Sequence, residues 1–378
     1  MELLFNYIFA IMFPFGQDGW KVLSLVSIIF FIKHYNAWKK DNIVLSLVIF
    51  LFYGIILTFF SPDVVTSFEE MQKYFIGWLF PFLLGYSVSN KEQKVKILKV
   101  YLAFFSFTIF LGFLAYFNII PDKIFYLTFI QYKRLAVICW HTIFAGRCSL
   151  VLIILIVLFL FNKDNNKNKF ITLIGIFFYL FALLLSGTRA CFVSVFCIFT
   201  LVLLLYIFKN KKIITGIILF ILISGAAISV YFLNPTLHDR INNTNLTKEK
   251  ALIERLYIYK EGINLLKAPK IFGYGPTNSI KTTNNIYNQE HFHNTLLQII
   301  LDFGIIGLIL FCTILFFIFK RLFISYKNTG SVFYLMLIFA WGAILISEQF
   351  DCMLRTPFFA AQYFWITGLI LGKSKSKE

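Results

Sequence analysis

The stretch HFHNTLLQIILDFGIIGLILFCTILFFIFKRLF, His291 to Phe323, begins with two histidines and an asparagine and ends in a Lys-Arg pair. Between them, residues 295–319 carry a single charge, Asp302. At about 1.5 Å of rise per residue, such a run is long enough to cross roughly 30 Å of hydrocarbon as a helix. It has a polar entrance at one end and a basic exit at the other. Similar runs recur near 3–15, 20–32, 43–60, 71–87, 100–119, 135–161, 170–186, 190–208, 213–233, 331–347 and 357–372. The first two are short enough to be one re-entrant hairpin. The pattern predicts an all-α polytopic membrane protein of about twelve transmembrane helices.

Composition agrees. Of 378 residues, 59% are hydrophobic and only 14% charged, and 49 are phenylalanine, with a mean hydropathy of +0.79. A soluble domain is nearer 45–50% apolar and about 25% charged. The net charge of +17 would suggest nucleic acid in a soluble protein, but in a membrane protein its placement decides. The lysines cluster in alternate short loops: Lys33, Lys39 and Lys40; Lys91, Lys94, Lys96 and Lys99; Lys163, Lys167 and Lys169; Lys209, Lys211 and Lys212; Lys320, Arg321 and Lys327; then the tail Lys373, Lys375 and Lys377. The opposite loops, GQDGW, SPDVVTSFEE and SEQFDCML, lean acidic. The bias places the basic loops and both termini in the cytoplasm and implies membrane lipids, not nucleic acid, as surroundings. No cleaved signal peptide is expected, because nothing basic precedes the first apolar run.

The chain divides into a membrane part at 1–233, an outer loop at 234–293, and a last membrane part with a basic tail at 294–378. No internal repeat is visible. All six cysteines lie in or beside apolar runs without CxxC or metal-type spacing, and are expected to be buried and inert.

Arginine follows a different rule from lysine. Arg134, Arg147, Arg189, Arg240, Arg255 and Arg355 fall on the outer side, against Arg321 inside. Guanidinium is a planar fork that binds phosphate at two points and keeps its charge, so arginines placed against the topological bias point to an anionic ligand. Arg189 in LLLSGTRACFVSVF is the sharpest case, since only Ser-Gly-Thr separates two apolar helices there. Arg147, near the outer end of its helix, follows the same logic, whereas Arg134 reads as an interface anchor.

Residues 249–266 of the outer loop read as an amphipathic helix whose face carries Leu252, Leu256, Tyr259, Ile263 and Leu266, with Arg255 one turn from Tyr259. Beyond it, Gly273, Gly275 and Pro276 predict an irregular turn. His291 and His293 are two apart and make a poor chelate by themselves. Asn294 is a good N-cap for the helix from Thr295, which puts His293 at a positive helix end and within the class of proton acceptors.

Three motifs on this outer side resemble the O-antigen ligase and O-antigen polymerase superfamily of bacterial inner-membrane glycosyltransferases. They are SGTRA (Ser186 to Ala190), ERLYIYKEGINLLKAPKIFGYGP (Glu254 to Pro276), and HFHN followed by nine residues and Gly304-Ile-Ile-Gly307. The resemblance implies a GT-C-like helical fold with one large periplasmic loop, and a multi-pass place in the inner membrane with a periplasmic active site. It also implies an inverting transfer from an undecaprenyl-diphosphate-linked glycan, with neither metal nor cofactor. On it, His293, Arg189 and Arg255 are the catalytic candidates. Arg147, Tyr259, His291, Asn294 and Arg355 are the substrate-binding candidates. The acceptor is a lipid A-core oligosaccharide for a ligase and a second lipid-linked repeat for a polymerase. SEQFDCMLRTP, with Arg355, is similar to the last outer loop of ligases and leans the reading that way. A transporter or flippase of an anionic lipid or sugar is the alternative of another class, and the absent repeat speaks against it.

Overall fold

The computed structural model describes residues 1–16, 19–124, 127–162, 166–210, 214, 220–221, 224–225, 250–267, 271–284 and 286–372. Most of the span expected at 213–233, Arg240 and the basic tail lie outside them. In chain order the helices are α1 (Glu2–Met12), α2 (Gly19–Leu25), α3 (Ser27–Lys33), α4 (Tyr35–Trp38), α5 (Asn42–Phe59), α6 (Val64–Tyr74) and α7 (Phe80–Tyr86), the last two joined by a π-helical turn at Phe75–Leu79. They continue as α8 (Lys91–Tyr116), α9 (His141–Phe161), α10 (Asn166–Leu185), α11 (Arg189–Asn210), α12 (Lys250–Leu266), α13 (Thr295–Thr329), α14 (Val332–Ser347) and α15 (Pro357–Leu371). Among the described residues, α5, α8, α9, α10, α11 and α13 are long and apolar enough to cross a membrane, and α1, α14 and α15 are shorter apolar helices. This is the architecture of a polytopic membrane protein.

The expected spans are redrawn in places. The run at 135–161 begins as helix only at His141, because two small antiparallel hairpins precede it, Lys123–Ile124 with Leu127–Thr128 and Ile130–Gln131 with Arg134–Leu135. These short strands are the departure from an all-α fold. The run at 20–32 is broken into α2 and α3. Cys197 and Cys312 are exposed, against the expectation of burial, while Cys139, Cys148, Cys191 and Cys352 are buried. Both exposed cysteines sit on long apolar helices, where an exposed face suits lipid as well as protein.

The chain forms two compact units. The first comprises Met1–Phe104, Leu246–Arg321 and Glu348–Glu378; the second, Phe105–Asn245 and Leu322–Ser347. At the centre of the first lies α15, buried from Phe358 to Leu371. A helix apolar on every side is an interior helix. It crosses α7 at backbone distance: a Cβ on Gly85 would stand 2.2 Å from the Trp365 carbonyl oxygen, and one on Gly368 would stand 2.1 Å from that of Phe82. Small residues at a crossing admit this approach, which is how apolar helices gain contact when lipid is as apolar as leucine. An aromatic layer of Phe50, Tyr74, Trp78, Phe303 and Phe364 packs around the same core. In the second unit, α9 is enclosed by α10, α11 and α14, with fifteen of its residues buried.

The helix quoted at the outset is broken. Gly304 in α13 has φ 69° and ψ −171°, a region open essentially to glycine alone. The break is filled by the turn that follows α12. Tyr274 N–H donates to the Leu301 carbonyl and Gly275 N–H to that of Asp302, each at 2.9 Å, and Tyr53 Oη donates to that of Phe303 at 2.8 Å. Three carbonyls at the break thus find partners, as buried backbone groups must. Gly273 lies so close that a Cβ there would meet the Asp302 oxygen at 2.4 Å. The nine residues from Thr295 to Phe303 therefore measure the distance from the helix entrance to the socket for the Gly-rich turn.

Candidate functional site

Asn294 caps α13 as its sequence position predicts: its Oδ1 accepts from Leu297 N–H at 3.0 Å, and its amide nitrogen lies 3.3 Å from the Gln349 carbonyl. The residues just before the cap are tied down from both sides. Phe292 N–H donates to Gln298 Oε1, Gln298 Nε2 donates to Asp302, and Asp302 accepts from Ser279 N–H and Oγ. Thr295 N–H donates to the Glu348 carbonyl, and its hydroxyl to the Glu348 carboxyl. The entrance of α13, the turn at 271–282 and the segment after α14 therefore form one polar-stitched block.

Helix α12 closes the block with a face that overlaps only part of the one its sequence predicts. Ile258 and Gly262 are buried, whereas Leu256 and Ile263 are more than half exposed; the Leu252 side chain lies outside the described ones. Ile258 packs with Ile280, Phe292 and Leu301. Gly262 permits the approach, since a Cβ there would meet Leu297 and Phe292 at 2.9 Å. Tyr259 and Leu266, which the predicted face also carries, still pack against this cluster. The Tyr259 hydroxyl is shared between the His293 carbonyl at 2.8 Å and the Gln349 carbonyl at 3.1 Å. Burial pushes the Tyr259 hydroxyl up to about 12, so it remains a donor.

His293 has φ 53°, a left-handed conformation that costs a non-glycine residue on the order of 1 kcal/mol or more and persists only when its surroundings impose it. The ring is fixed by a relay. Gln289 Nε2 donates to Glu254 at 3.2 Å, which turns Gln289 Oε1 toward His293 Nε2 at 2.9 Å. In this orientation of Gln289, Nε2 is the nitrogen placed to donate a proton. The other nitrogen, Nδ1, is buried, makes no hydrogen bond and faces Asp351 Oδ1 at 3.4 Å. His291 Nε2 reaches the same oxygen at 3.2 Å, and the two imidazole centroids are 4.3 Å apart. Burial pushes His293 below the ordinary imidazole range; His291 and Arg255 act in the same direction and Asp351 against it. Burial also works against the charge of Asp351, but the two imidazoles facing it outweigh that and hold its carboxyl well below the usual carboxylate range. A bare nitrogen opposite an ionised carboxylate becomes an attractive contact when a proton or a metal ion stands between them. The ligating atoms of His291, His293 and Asp351 all lie within 4.8 Å of one another, the arrangement among the described residues able to hold an ion.

Of the predicted site residues, the first unit brings together His291, His293, Asn294, Tyr259 and Arg255, the last half-buried and close enough for its charge to act on Tyr259 and His293. Arg355 lies in the same block but is engaged. It forks onto Glu70, donates to the Glu290 carbonyl at 2.9 Å and to Thr277 Oγ1 at 3.0 Å, while Lys73 shares Glu70 Oε2 with it at 2.8 Å. Glu70 is 2% exposed, and its charge raises the affinity of Arg355 for its proton against the effect of burial.

Arg189 and Arg147 belong to the second unit. Gly187, at φ 63°, makes the turn of SGTRA, and Arg189 opens α11 with its side chain exposed. Arg147 is fully buried, its guanidinium 4.6 Å from the Phe105 ring centre. Arg134 meets His141 at 2.6 Å, and Thr188 donates to the His141 carbonyl at 3.3 Å.

Sequence reasoning missed Asp351, Gln289, Glu254, Glu70 and His141. Asp351 was visible as one of the acids of SEQFDCML, but sequence gave no reason to set it against histidines some sixty residues away.

Residues 174–312 match the family described as O-antigen ligase. A protein of Rickettsia typhi, provisionally named a polysaccharide ligase, is 31% identical over 180 residues, which take in 43% of this chain and 42% of that protein. The chain thus matches less than half the length of that relative. The family match contains SGTRA, α12 and the His-Asn-to-Gly-x-x-Gly segment, so the three motifs and the comparisons point the same way.

Proposed function

We propose that the protein is a ligase-like glycosyltransferase. It moves a glycan from undecaprenyl diphosphate to a hydroxyl of a lipid A-core acceptor at the periplasmic face of the bacterial inner membrane. The observation that carries this reading is the convergence of Arg255, Tyr259 and His293, all inside the segment that matches the ligase family, with Asp351 at the entrance of α13. Breaking the sugar C1–O bond leaves negative charge on a diphosphate. Arg255 is proposed to bind it as a fixed positive charge already in place before the bond breaks, and Arg189 of SGTRA is proposed as a further anion-binding residue of the second unit. His293 takes the proton of the attacking hydroxyl on Nδ1, where Asp351 stands ready to neutralise the imidazolium. One direct displacement inverts C1. Tyr259 holds the strained His293 backbone in place, and Arg355 fastens the Glu290 carbonyl beside the histidines. The Lys-rich loops support cytoplasmic termini and a periplasmic site.

The test is a lipopolysaccharide ladder from cells lacking the gene, complemented with Arg189→Ala, Arg255→Ala or His293→Ala at matched protein levels. Loss of all capped species, with long lipid-linked polymer accumulating, is expected for each variant. A core still capped with a single repeat would make the enzyme a polymerase. Full capping by two of the three variants would displace the site.

A further inference from the structure

We propose that His291, His293 and Asp351 form a binding site for a divalent transition-metal ion, zinc by preference, and that the bound ion switches transfer off. The off-switch rests on the proton-accepting role proposed above for His293; the metal site does not.

Ligand spacing comes first. A tetrahedral ion with bonds of about 2.0–2.2 Å holds its ligand atoms about 3.3–3.6 Å apart. Asp351 Oδ1 stands 3.2 Å from His291 Nε2 and 3.4 Å from His293 Nδ1, two of the three spacings such an ion needs, and all three ligand atoms lie within 4.8 Å of one another. Ligand state comes second. An imidazole coordinates through its unprotonated nitrogen, and metal-binding histidines characteristically donate the other N–H to an oxygen that fixes the ring. His293 has this arrangement: Nε2–H on Gln289 Oε1, the amide itself oriented by Glu254, and a buried Nδ1 with no hydrogen bond. The backbone at φ 53° aims that nitrogen at the carboxylate. Ligand chemistry comes third. Two imidazoles and one carboxylate suit zinc, cobalt or nickel; magnesium and calcium prefer all-oxygen sets. Three protein ligands leave a further position for water.

The consequence follows from one atom. Coordination and proton acceptance both use the Nδ1 lone pair of His293, so they exclude each other. An occupied site leaves the proposed base without its acceptor atom, and Arg255 close by adds a positive charge that keeps the ion exchangeable rather than permanent.

The experiment uses the full chain, purified in detergent and stripped with a chelator. Co2+ is titrated in and followed by its visible ligand-field absorption, and Zn2+ is then added in competition. One Co2+ per chain, displaced by Zn2+, is expected, with affinity at least about tenfold weaker in His291→Ala and in Asp351→Asn. As a readout independent of the cobalt spectrum, Zn2+ raises the unfolding temperature of the wild type, and less so that of His291→Ala, each measured against its own metal-free chain. Absence of saturable binding, or equal binding by a chain carrying all three of His291→Ala, His293→Ala and Asp351→Asn, overturns the site and leaves the proton-accepting role untouched. In the second arm, transfer from a lipid-linked donor is measured with Zn2+ and again with chelator. Inhibition is expected, reversed by chelator, with the inhibitory concentration in His291→Ala raised by the factor that its binding is weakened. Binding without inhibition, or stimulation by the ion, overturns the off-switch and with it the role assigned to His293 Nδ1.

Discussion

Replacing Gly304 by alanine is the sharpest test of how the site is held. At φ 69° and ψ −171° the position lies in backbone space that a side chain all but forbids, at roughly 1–3 kcal/mol. The new Cβ would stand 2.0 Å from the Ile271 carbonyl oxygen, 2.5 Å from its carbon and 2.6 Å from Gly273 N. These are backbone atoms, which have no rotamer to escape into. The turn at 271–275 must therefore leave its socket, losing the bonds from Tyr274 N–H and Gly275 N–H at about 1 kcal/mol each. The sum is about 3–5 kcal/mol. Gly330→Ala is the internal control. Its φ of 62° carries the left-handed penalty of about 1–2 kcal/mol, but nothing lies within 4 Å of the added carbon. Thermal unfolding of the two variants in the same detergent separates the contributions. Gly304→Ala should unfold about 1–5 °C below Gly330→Ala and lose glycan transfer at temperatures where it remains folded. Equal unfolding temperatures would refute the interlock of the Gly-rich turn with the broken helix.

Other perturbations probe the same block. Arg355→Ala leaves Glu70 buried with Lys73 as its remaining partner and should cost about 3 kcal/mol; adding Glu70→Leu should restore part of the loss, read as a smaller drop in unfolding temperature for the pair than for the sum of the singles. Tyr259→Phe removes the hydroxyl shared by the His293 and Gln349 carbonyls and should cost about 1 kcal/mol. Because burial pushes that hydroxyl up to about 12, the cost should be the same at about pH 6 and about pH 9, as checked by unfolding at each. Gln289→Leu breaks the relay from Glu254 to His293 Nε2; transfer should fall at least about tenfold with the unfolding temperature nearly unchanged, measured on purified protein.

Much of this molecule is written in local sequence, and the missing part has a common cause. Apolar runs bounded by lysine loops mark the long helices because span length and charge bias act residue by residue. Asn294 reads as a cap for the same reason, since its partner is Leu297, three residues on. The existence of α12 and the inward place of Tyr259 and Leu266 were legible, and the full buried face was not. Leu256 and Ile263 are as apolar as Ile258, and the choice between them is made by Gly262 seating against Leu297 and Phe292. Asp351 illustrates the limit most clearly. As a residue of an acid-leaning loop it spoke only of topology, and its meaning comes from a fold that sets it against His291 and His293. Arg355 shows the converse. Outer placement suggested an anion-binding residue, while the structure pairs it with an acid, Glu70, from helix α6. The hairpins ahead of α9 were hidden because their apolar residues merge with the helix that follows.

The most direct measurement of the central claim is glycan transfer by the purified full chain, supplied with an undecaprenyl-diphosphate-linked glycan and a lipid A-core acceptor, with wild type, Arg255→Ala and His293→Ala compared at equal unfolding temperature. The account predicts glycan-capped acceptor and released undecaprenyl diphosphate from the wild type, and neither from the two variants. Undiminished capping by Arg255→Ala and His293→Ala would contradict it.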